Sequence, residues 1–465
     1  MIGISDRLDP TSEMLALSTT GDTKNILICL IELSGPMDAQ SMLEAARKAA
    51  QKFPQLTRRI KEVRSKGLHY LVWDSDQTME VRTFFHKAPG HDPSETTLDL
   101  IIRTLDSRLN RDRDLFHETP AEFHLITISP ERHIVGWLMH HVAGDAATGT
   151  DVGQETLANY HEIIRGSKPN WADEYYSISG SRKRRVSPKK LTIRNYLEDV
   201  RQTFQNVFKR PCLPVGSGLG QDRSQHHVKR ILTEEETDLL YKTTTNHGVS
   251  LVDRFVVCAN GVIDEWNLQR GLSPGLLTAS MTVNMRGRFS DVDSMNSSSL
   301  IFFKSIPSER KDTGVFARKV ALTRIRHFRN QTDLKLSKNI KMMTDSFRIF
   351  PFRLRKKIIS FLINRHQFSI AITVLGVFWP KMNEGRPTRE SAFTRVGDLE
   401  AVEVFGVAHR MLSKTQALLL VYTFRNRLNL VLTCSASLFT REETELFIDL
   451  LVKKLMASQV FHPAH

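Results

Sequence analysis

The chain has 465 residues, 40% of them hydrophobic and 25% charged, enough to bury more than one core, so two domains are expected. Its four cysteines, Cys29, Cys212, Cys258 and Cys434, sit in separate segments without a CxxC pair. That excludes a disulfide-framed scaffold and reads as reduced thiols in a cytoplasmic protein. The formal net charge of +14 invites anionic partners, but no aromatic-basic module supports nucleic acid and no apolar run is long enough to cross a bilayer.

Residues 1–7 lack a charged region followed by an apolar core, so no secretory leader is expected. Residues 9–14 read as a turn leading into a short helix or coil. Asn25–Leu33 is a strand with too little alternation to leave one face wet. Pro36 and Asp38 open a helix to about Lys52, with Asp38 as its cap and Met42, Leu43, Ala46, Ala49, Ala50 and Phe53 as its apolar stripe. Strands are expected at 69–73 and 80–85, a helix over 94–109, and a Pro-bounded strand within 115–128. His117 and His124 take structural or surface roles, since the alternating faces of one strand account for them.

The run His133–Met139 is apolar and short enough for a buried strand, and Gly144, Ala146 and Gly149 break it. His140 and His141 therefore stand where a strand hands over to a loop, a common place for reactive side chains. A neutral imidazole, of unperturbed pKa about 6.5, can take a proton from an alcohol or amine at ambient pH. His141 is thus a candidate general base. Asp145 either shapes the turn beside it or anchors the loop on a distant arginine; the second role suits a base that needs a fixed position more than extra charge. Zinc is not supported, because no further His, Cys or acidic residue stands at a zincin-like spacing. A bare pair of histidines would equally suit an ordinary loop.

The complete pattern, HHxxxD followed by a small residue after a hydrophobic strand, resembles the active-site motif of the condensation-domain and chloramphenicol-acetyltransferase-like acyltransferases. The free-standing alcohol acetyltransferases, wax-ester synthases and polyketide-associated acyltransferases are the types it most resembles. The resemblance implies that His141 is catalytic, that His140 supports it and that Asp145 is structural. The glycine usual after the aspartate is Ala146 here. Phe53-Pro54-Gln55-Leu56 resembles an early segment of the same superfamily. Condensation domains place an arginine after that leucine; Thr57 stands there in this chain, which points towards the free-standing enzymes.

Thr150–Arg165 reads as a helix with Val152, Leu157, Tyr160, Ile163 and Ile164 inward. Residues 177–225 read as a basic, Gly-rich crossover, placing a first lobe at 1–176 and a second at 226–465. Its charge run, Arg182 to Lys190, is most simply a solvated linker, with capture of coenzyme A phosphate or a carrier protein as the lesser reading. His226 and His227 repeat the double histidine in an expected strand, but no acidic residue follows at the motif spacing, so they are set aside. Helices are expected from Thr233, with Glu236 at capping-box spacing, and over 250–268.

Met281–Phe289 reads as an apolar strand carrying Asn284, Arg286 and Arg288 on one face. It resembles the superfamily's VNxRxR segment, whose first arginine pairs with the motif aspartate, and so implies an Asp145–Arg286 ion pair. Asn296–Ser299 resembles the start of the next strand, which often begins at an asparagine near the active-site floor. Ser346–Ile363 is basic and amphipathic; a helix packed on its own sheet is expected, with peripheral membrane contact or an acyl-substrate site as the lesser readings. Ile372–Phe378 resembles an S-N-x-G segment with Thr373 and Val374 in place of Ser and Asn, making Thr373 the candidate for holding an oxyanion. Strands at 417–424 and 428–436 and a helix from Thr440, with Glu443 at capping-box spacing, close the chain.

Over nearly the whole chain, the resemblance implies an α/β protein of two chloramphenicol-acetyltransferase-like lobes, each a two-layer α+β unit, with an active-site tunnel at their interface. It implies no bound cofactor or metal. Acyl-coenzyme A, or acyl-phosphopantetheine on an acyl carrier protein, would be co-substrate to an alcohol or amine acceptor in a monomer. O-acylation is preferred because of Thr57 and because no carrier or adenylation domain accompanies the chain. An amide-forming condensation domain and a non-catalytic binder of acyl groups or a partner are the alternatives.

Overall fold

The computed structural model describes residues 7–75, 79–88, 90, 94–171, 210–218, 220, 224–245, 249–286, 296–363, 368–383, 386–411 and 417–457. The basic run at 182–190 and Arg288 lie outside them.

Asp9 accepts hydrogen bonds from the backbone N–H groups of Thr11 and Ser12 and starts helix α1 (Pro10–Ser18). Strand β1 (Ile26–Ser34) is buried at every residue but the last, matching its unbroken apolar run. Asp38 caps α2 (Ala39–Lys52), whose Met42, Leu43, Ala46, Ala49 and Ala50 are buried. There follow β2 (Ile60–Ser65), β3 (Leu68–Trp73), β4 (Arg82–Lys87), α3 (Thr97–Asn110), β5 (Ala121–Ser129), β6 (Arg132–His140) and α4 (Ala146–Arg165). The next elements are β7 (Gln225–Ile231), α5 (Glu234–Thr245), α6 (Leu251–Leu268), β8 (Leu277–Asn284), β9 (Ser298–Ser305), α7 (Pro307–Arg310), α8 (Thr313–Arg329), α9 (Thr332–Ser346) and α10 (Phe352–Ile363). Last come β10 (Ile370–Val377), β11 (Pro380–Asn383), β12 (Arg386–Ser391), β13 (Arg395–Val396), β14 (Leu399–His409), β15 (Ala417–Phe424), β16 (Arg427–Ser435) and α11 (Arg441–Met456).

Two six-stranded mixed sheets organise these elements, in the orders β13-β14-β1-β6-β5-β4 and β7-β16-β15-β10-β8-β9. Each has its own apolar core, with α2 and α4 against the first and α6 and α11 against the second. The α/β class with two α+β lobes is as expected. The second half, however, does not stay together: β13 and β14 leave it and complete the first sheet beside β1. Phe405 to His409 of β14 are buried throughout, as in a strand enclosed on both faces. β15 packs across it, with Tyr422 Oη donating to Val404 O at 2.7 Å.

The Pro-bounded strand expected within 115–128 is present as Ala121–Ser129, directly after Pro120. One other expectation changes. The basic segment at 346–363 does not pack on its own sheet; after a 3-10 turn at Phe347–Ile349, α10 lies against α1. Buried Glu13 of α1 draws it there, paired with Arg355 at 2.5 Å and with Arg348 at 2.7 Å. A buried carboxylate left unpaired would be strongly destabilising, so this pairing decides where the helix sits.

Candidate active site

β6 carries the motif to the place where the two sheets meet. Its ladder with β1 pairs Ile26 with His140, and the N–H of His141 donates to Asn25 O at 2.7 Å. The strands lie unusually close at Gly136, whose φ is +149°; a Cβ there would stand 2.2 Å from Cys29 O. Only glycine fits that contact. After His140 the chain makes a 3-10 turn, His141–Ala143, and then α4 begins.

The two histidines do different work. His140 is fully buried. Its Nδ1 accepts from the N–H of Val142 at 3.0 Å, capping the turn, and its Nε2 lies 2.9 Å from Thr19 Oγ1. Burial, reinforced by Arg113 and His141, holds its pKa well below the ordinary value, so it is a neutral strut. His141 is part-buried and lines a cavity between the sheets. Its Nδ1 lies 2.9 Å from Asn296 Oδ1. The Asn296 amide is oriented by donating from Nδ2 to His141 O and to Ser12 Oγ, both at 2.7 Å. Oδ1 therefore faces the ring as an acceptor, Nδ1 carries the proton, and Nε2 keeps its lone pair. Burial lowers the His141 pKa, opposed in part by Asp145 and by the Asn296 hydrogen bond. The ring is neutral at physiological pH.

Asp145 is 5% exposed and none of its hydrogen bonds goes to His141. Its Oδ1 accepts from Thr148 N at 3.1 Å as the cap of α4, and its Oδ2 from Ser297 N at 3.1 Å. Arg286 meets both oxygens, at 2.7 and 2.9 Å, and donates to Thr148 Oγ1 at 2.8 Å. Such a fork-on-carboxylate pair is directional as well as strong. It ties the motif loop, α4 and the β8–β9 end of the second sheet into one joint. Gly144 permits the close packing of Thr148, since a Cβ would stand 2.5 Å from its Cγ2.

The route to this pair differs from the expected one. β8 stops at Asn284, so Arg286 is not a strand residue sharing a face with it. Asn284 Oδ1 instead accepts from the N–H of Arg286 at 2.9 Å, a local turn that competes with the sheet ladder. Thr373 on β10 reaches the cavity wall, with its Oγ1 2.9 Å from Thr282 Oγ1. The resemblance placed Asn296 at the start of the next strand, near the active-site floor; the strand itself begins at Ser298, and the bond of Asn296 to the His141 ring has no signal in sequence spacing, because 155 residues separate them. Ser12, which steadies it, was also missed.

The cavity holds about 350 Å³, within the range of small-molecule sites. One wall is apolar: Leu27, Cys29, Met139, Gly406, Leu418 and Leu420. Another is a hydroxyl-bearing face of the second sheet, where Ser280, Thr282 and Asn284 alternate along β8, with Ser298 opposite Asn284 on β9. Met14 and Leu15 of α1 and Leu336 and Ile340 of α9 also line it. Burial pushes the Cys29 thiol up to about 12, so it lines the cavity as an apolar group and not as a nucleophile. Among the described residues no cluster of three or more His, Cys, Asp or Glu is suited to a metal ion.

No family model matches the sequence. A curated relative is 26% identical over 106 residues, a probable non-canonical nonribosomal peptide synthetase, CymA, from Salinispora arenicola (strain CNS-205); the match covers 20% of this chain and 1% of that protein. The chain therefore spans a very small part of that relative's length. Solved structures match along nearly the whole chain. The first condensation domain of the calcium-dependent antibiotic synthetase gives a TM-score of 0.64 at 15% identity, covering 99% of this chain and 97% of that one. The chain has the condensation-domain and chloramphenicol-acetyltransferase-like fold. TRI3 trichothecene 15-O-acetyltransferase from Fusarium sporotrichioides shares this fold with a TM-score of 0.62 at 12% identity, covering 97% and 94%. The epimerization domain from the third module of tyrocidine synthetase B does so at 0.62 and 12%, covering 97% and 96%. At these identities the likeness is one of fold.

Proposed function

We propose that the chain is an acyltransferase that moves an acyl group from a thioester to an alcohol or amine, with His141 as general base. The observation that carries this reading is the His141–Asn296 bond, which fixes the Nδ1–H tautomer and leaves Nε2 as a free acceptor in the inter-sheet cavity. The acceptor's hydroxyl or amine gives its proton to Nε2 as its heteroatom bonds to the thioester carbonyl carbon. The tetrahedral oxyanion then collapses, the C–S bond breaks, and the imidazolium returns the proton to the leaving thiolate. A base of this kind contributes roughly 10²–10⁴-fold. Thr373, backed by Thr282, is the hydroxyl we assign to the oxyanion. The apolar wall suits the acyl group and the hydroxyl-bearing face suits a polar acceptor.

The donor is acyl-coenzyme A or acyl-phosphopantetheine on a carrier protein, and an ester is the preferred product because Thr57 stands where condensation domains carry arginine. The amide-forming alternative draws support from the condensation domains among the structural relatives. The test is thiol release from acyl-coenzyme A donors of increasing length, with alcohols or amines as acceptors, for wild type and His141→Ala. Acceptor-dependent release lost in the variant supports the proposal. Equal release from both proteins overturns the role of His141. Release only from carrier-bound donors, with amide products, assigns the alternative.

A further inference from the structure

Residues 313–363 hold thirteen Lys and Arg against two acidic residues, a formal +11 of the chain's +14. Eight of the sixteen large hydrophobic side chains exposed among the described residues fall between Ile306 and Phe361. Singly scattered exposed aliphatics are ordinary, but in this block they are ordered.

The order is plainest on α8. Its inner face, Phe316, Ala317, Val320 and Ala321, is buried. Its outer stripe is Val315, Arg318, Leu322, Ile325 and Arg329, spaced three, four, three and four residues apart, which is one face of a helix. Val315, Leu322 and Ile325 are 51%, 53% and 50% exposed. Arg318, Arg326 and Arg329 are exposed and have no carboxylate partner among the described residues. A surface helix ordinarily turns its polar side to water; this one turns out aliphatics interleaved with arginine. The composition recurs on α10, where Leu354 is 42% exposed beside Arg353 and Lys357, and at Ile349, 60% exposed.

We propose that α8 is an interfacial helix that seats the protein on an anionic lipid surface, the aliphatics entering the headgroup boundary and the arginines meeting lipid phosphates and carboxylates. Convex ridges of this kind need no matching pocket, which a deformable bilayer does not have to supply and a folded protein partner does. α9, which follows α8, supplies Leu336 and Ile340 to the cavity lining, so the basic block borders the cavity. The proposal does not depend on the acyltransferase reading.

The test is flotation of the full chain with vesicles of phosphatidylcholine alone and of phosphatidylcholine mixed with phosphatidylserine. Binding is expected only to the mixed vesicles, weakened by added salt. Leu322→Glu with Ile325→Glu should abolish it. Arg318→Gln with Arg326→Gln should weaken it about 25-fold, at roughly fivefold per charge. Circular dichroism and unchanged unfolding midpoints would show the variants folded, and thiol release with soluble donors should be unchanged. Failure to bind the mixed vesicles, or binding that survives both double substitutions, overturns the proposal. So does saturable binding of an acidic carrier protein, lost in the same variants, without vesicle binding.

Discussion

The chain contains two double histidines, and their surroundings separate a candidate site from a structural element. His140-His141 ends a strand: one ring caps the turn and the other faces the cavity. His226-His227 lies inside β7, so alternation sends one ring into the core and the other to the opposite side. His227 is buried, with Nδ1 2.9 Å from Thr433 Oγ1 and Nε2 3.1 Å from His409 Nδ1. His409 Nε2 continues the line to Asn110 Oδ1 at 3.4 Å. His227 and His409 each have both nitrogens engaged, and none is left to accept a substrate proton. His141 has one nitrogen engaged and one free. What distinguishes the two pairs is the strand end.

The largest test of this contrast exchanges the two kinds of damage. His141→Ala should lower the rate of acyl transfer by roughly 10²–10⁴-fold and leave the urea unfolding midpoint nearly unchanged. His227→Ala should do the reverse, leaving buried polar partners at a cost of about 1–3 kcal/mol each. A normal rate for His141→Ala would sink the mechanism.

Next in size is the joint that holds the motif loop. Asp145→Ala removes the carboxylate from Arg286, whose side chain is part-exposed, and should cost about 1–3 kcal/mol in chemical unfolding, with transfer falling as the loop loses its anchor. If Asp145→Ala keeps wild-type stability, the ion pair is not the tie between lobes.

Asn296→Ala sharpens the contrast from the other side, by making His141 more like an unanchored loop histidine. We expect kcat to fall about 10–100-fold with little change in KM, since the loss is of orientation. The pH profile separates this from general structural damage. Wild type should show an acid limb with its midpoint below about 6.5, because burial lowers the His141 pKa. The Asn296 bond raises that pKa, so its removal should move the midpoint lower still. A midpoint that stays put would remove Asn296 from the role.

Much of this was legible in the sequence, and the exceptions share a cause. The motif strand, the capping of α2 by Asp38 and the closing strand-strand-helix all follow from local pattern, which needs only neighbouring residues. Arg286 was found by resemblance, though its strand ends two residues earlier because the Asn284 side chain bonds to the arginine's own N–H. The placement of β14 between β13 and β1 was not legible. A buried strand reads the same whichever sheet receives it, and the ladder that sets Gly406 opposite Cys29 joins distant parts of the chain. Asn296 and Ser12 were missed as supports for His141 for the same reason: their partners are set by the meeting of the two sheets.

The smallest effect expected belongs to His227. Burial, with Arg441 and His226 nearby, lowers its pKa to about 3, whereas an unfolded histidine titrates near 6.5. Between those values the unfolded chain binds a proton that the folded chain refuses. Stability from this group is therefore whole above about pH 6.5 and is lost as pH falls towards 3. From pH 7 to pH 5 the loss comes to about 2 kcal/mol for this one ring. His227→Gln can keep a donor towards His409 and an acceptor towards Thr433 while removing the titration, so its unfolding free energy should fall less over that interval by about that amount. His141→Gln gives the comparison. If both variants flatten the pH dependence equally, the folded environment does not distinguish the two histidines as their hydrogen bonds say it does. If only His227→Gln flattens it strongly, that buried ring is one acid-sensitive part of the fold, as the lowered pKa values of buried His140 and His409 also imply for them, and the ring at the strand end is left free for chemistry.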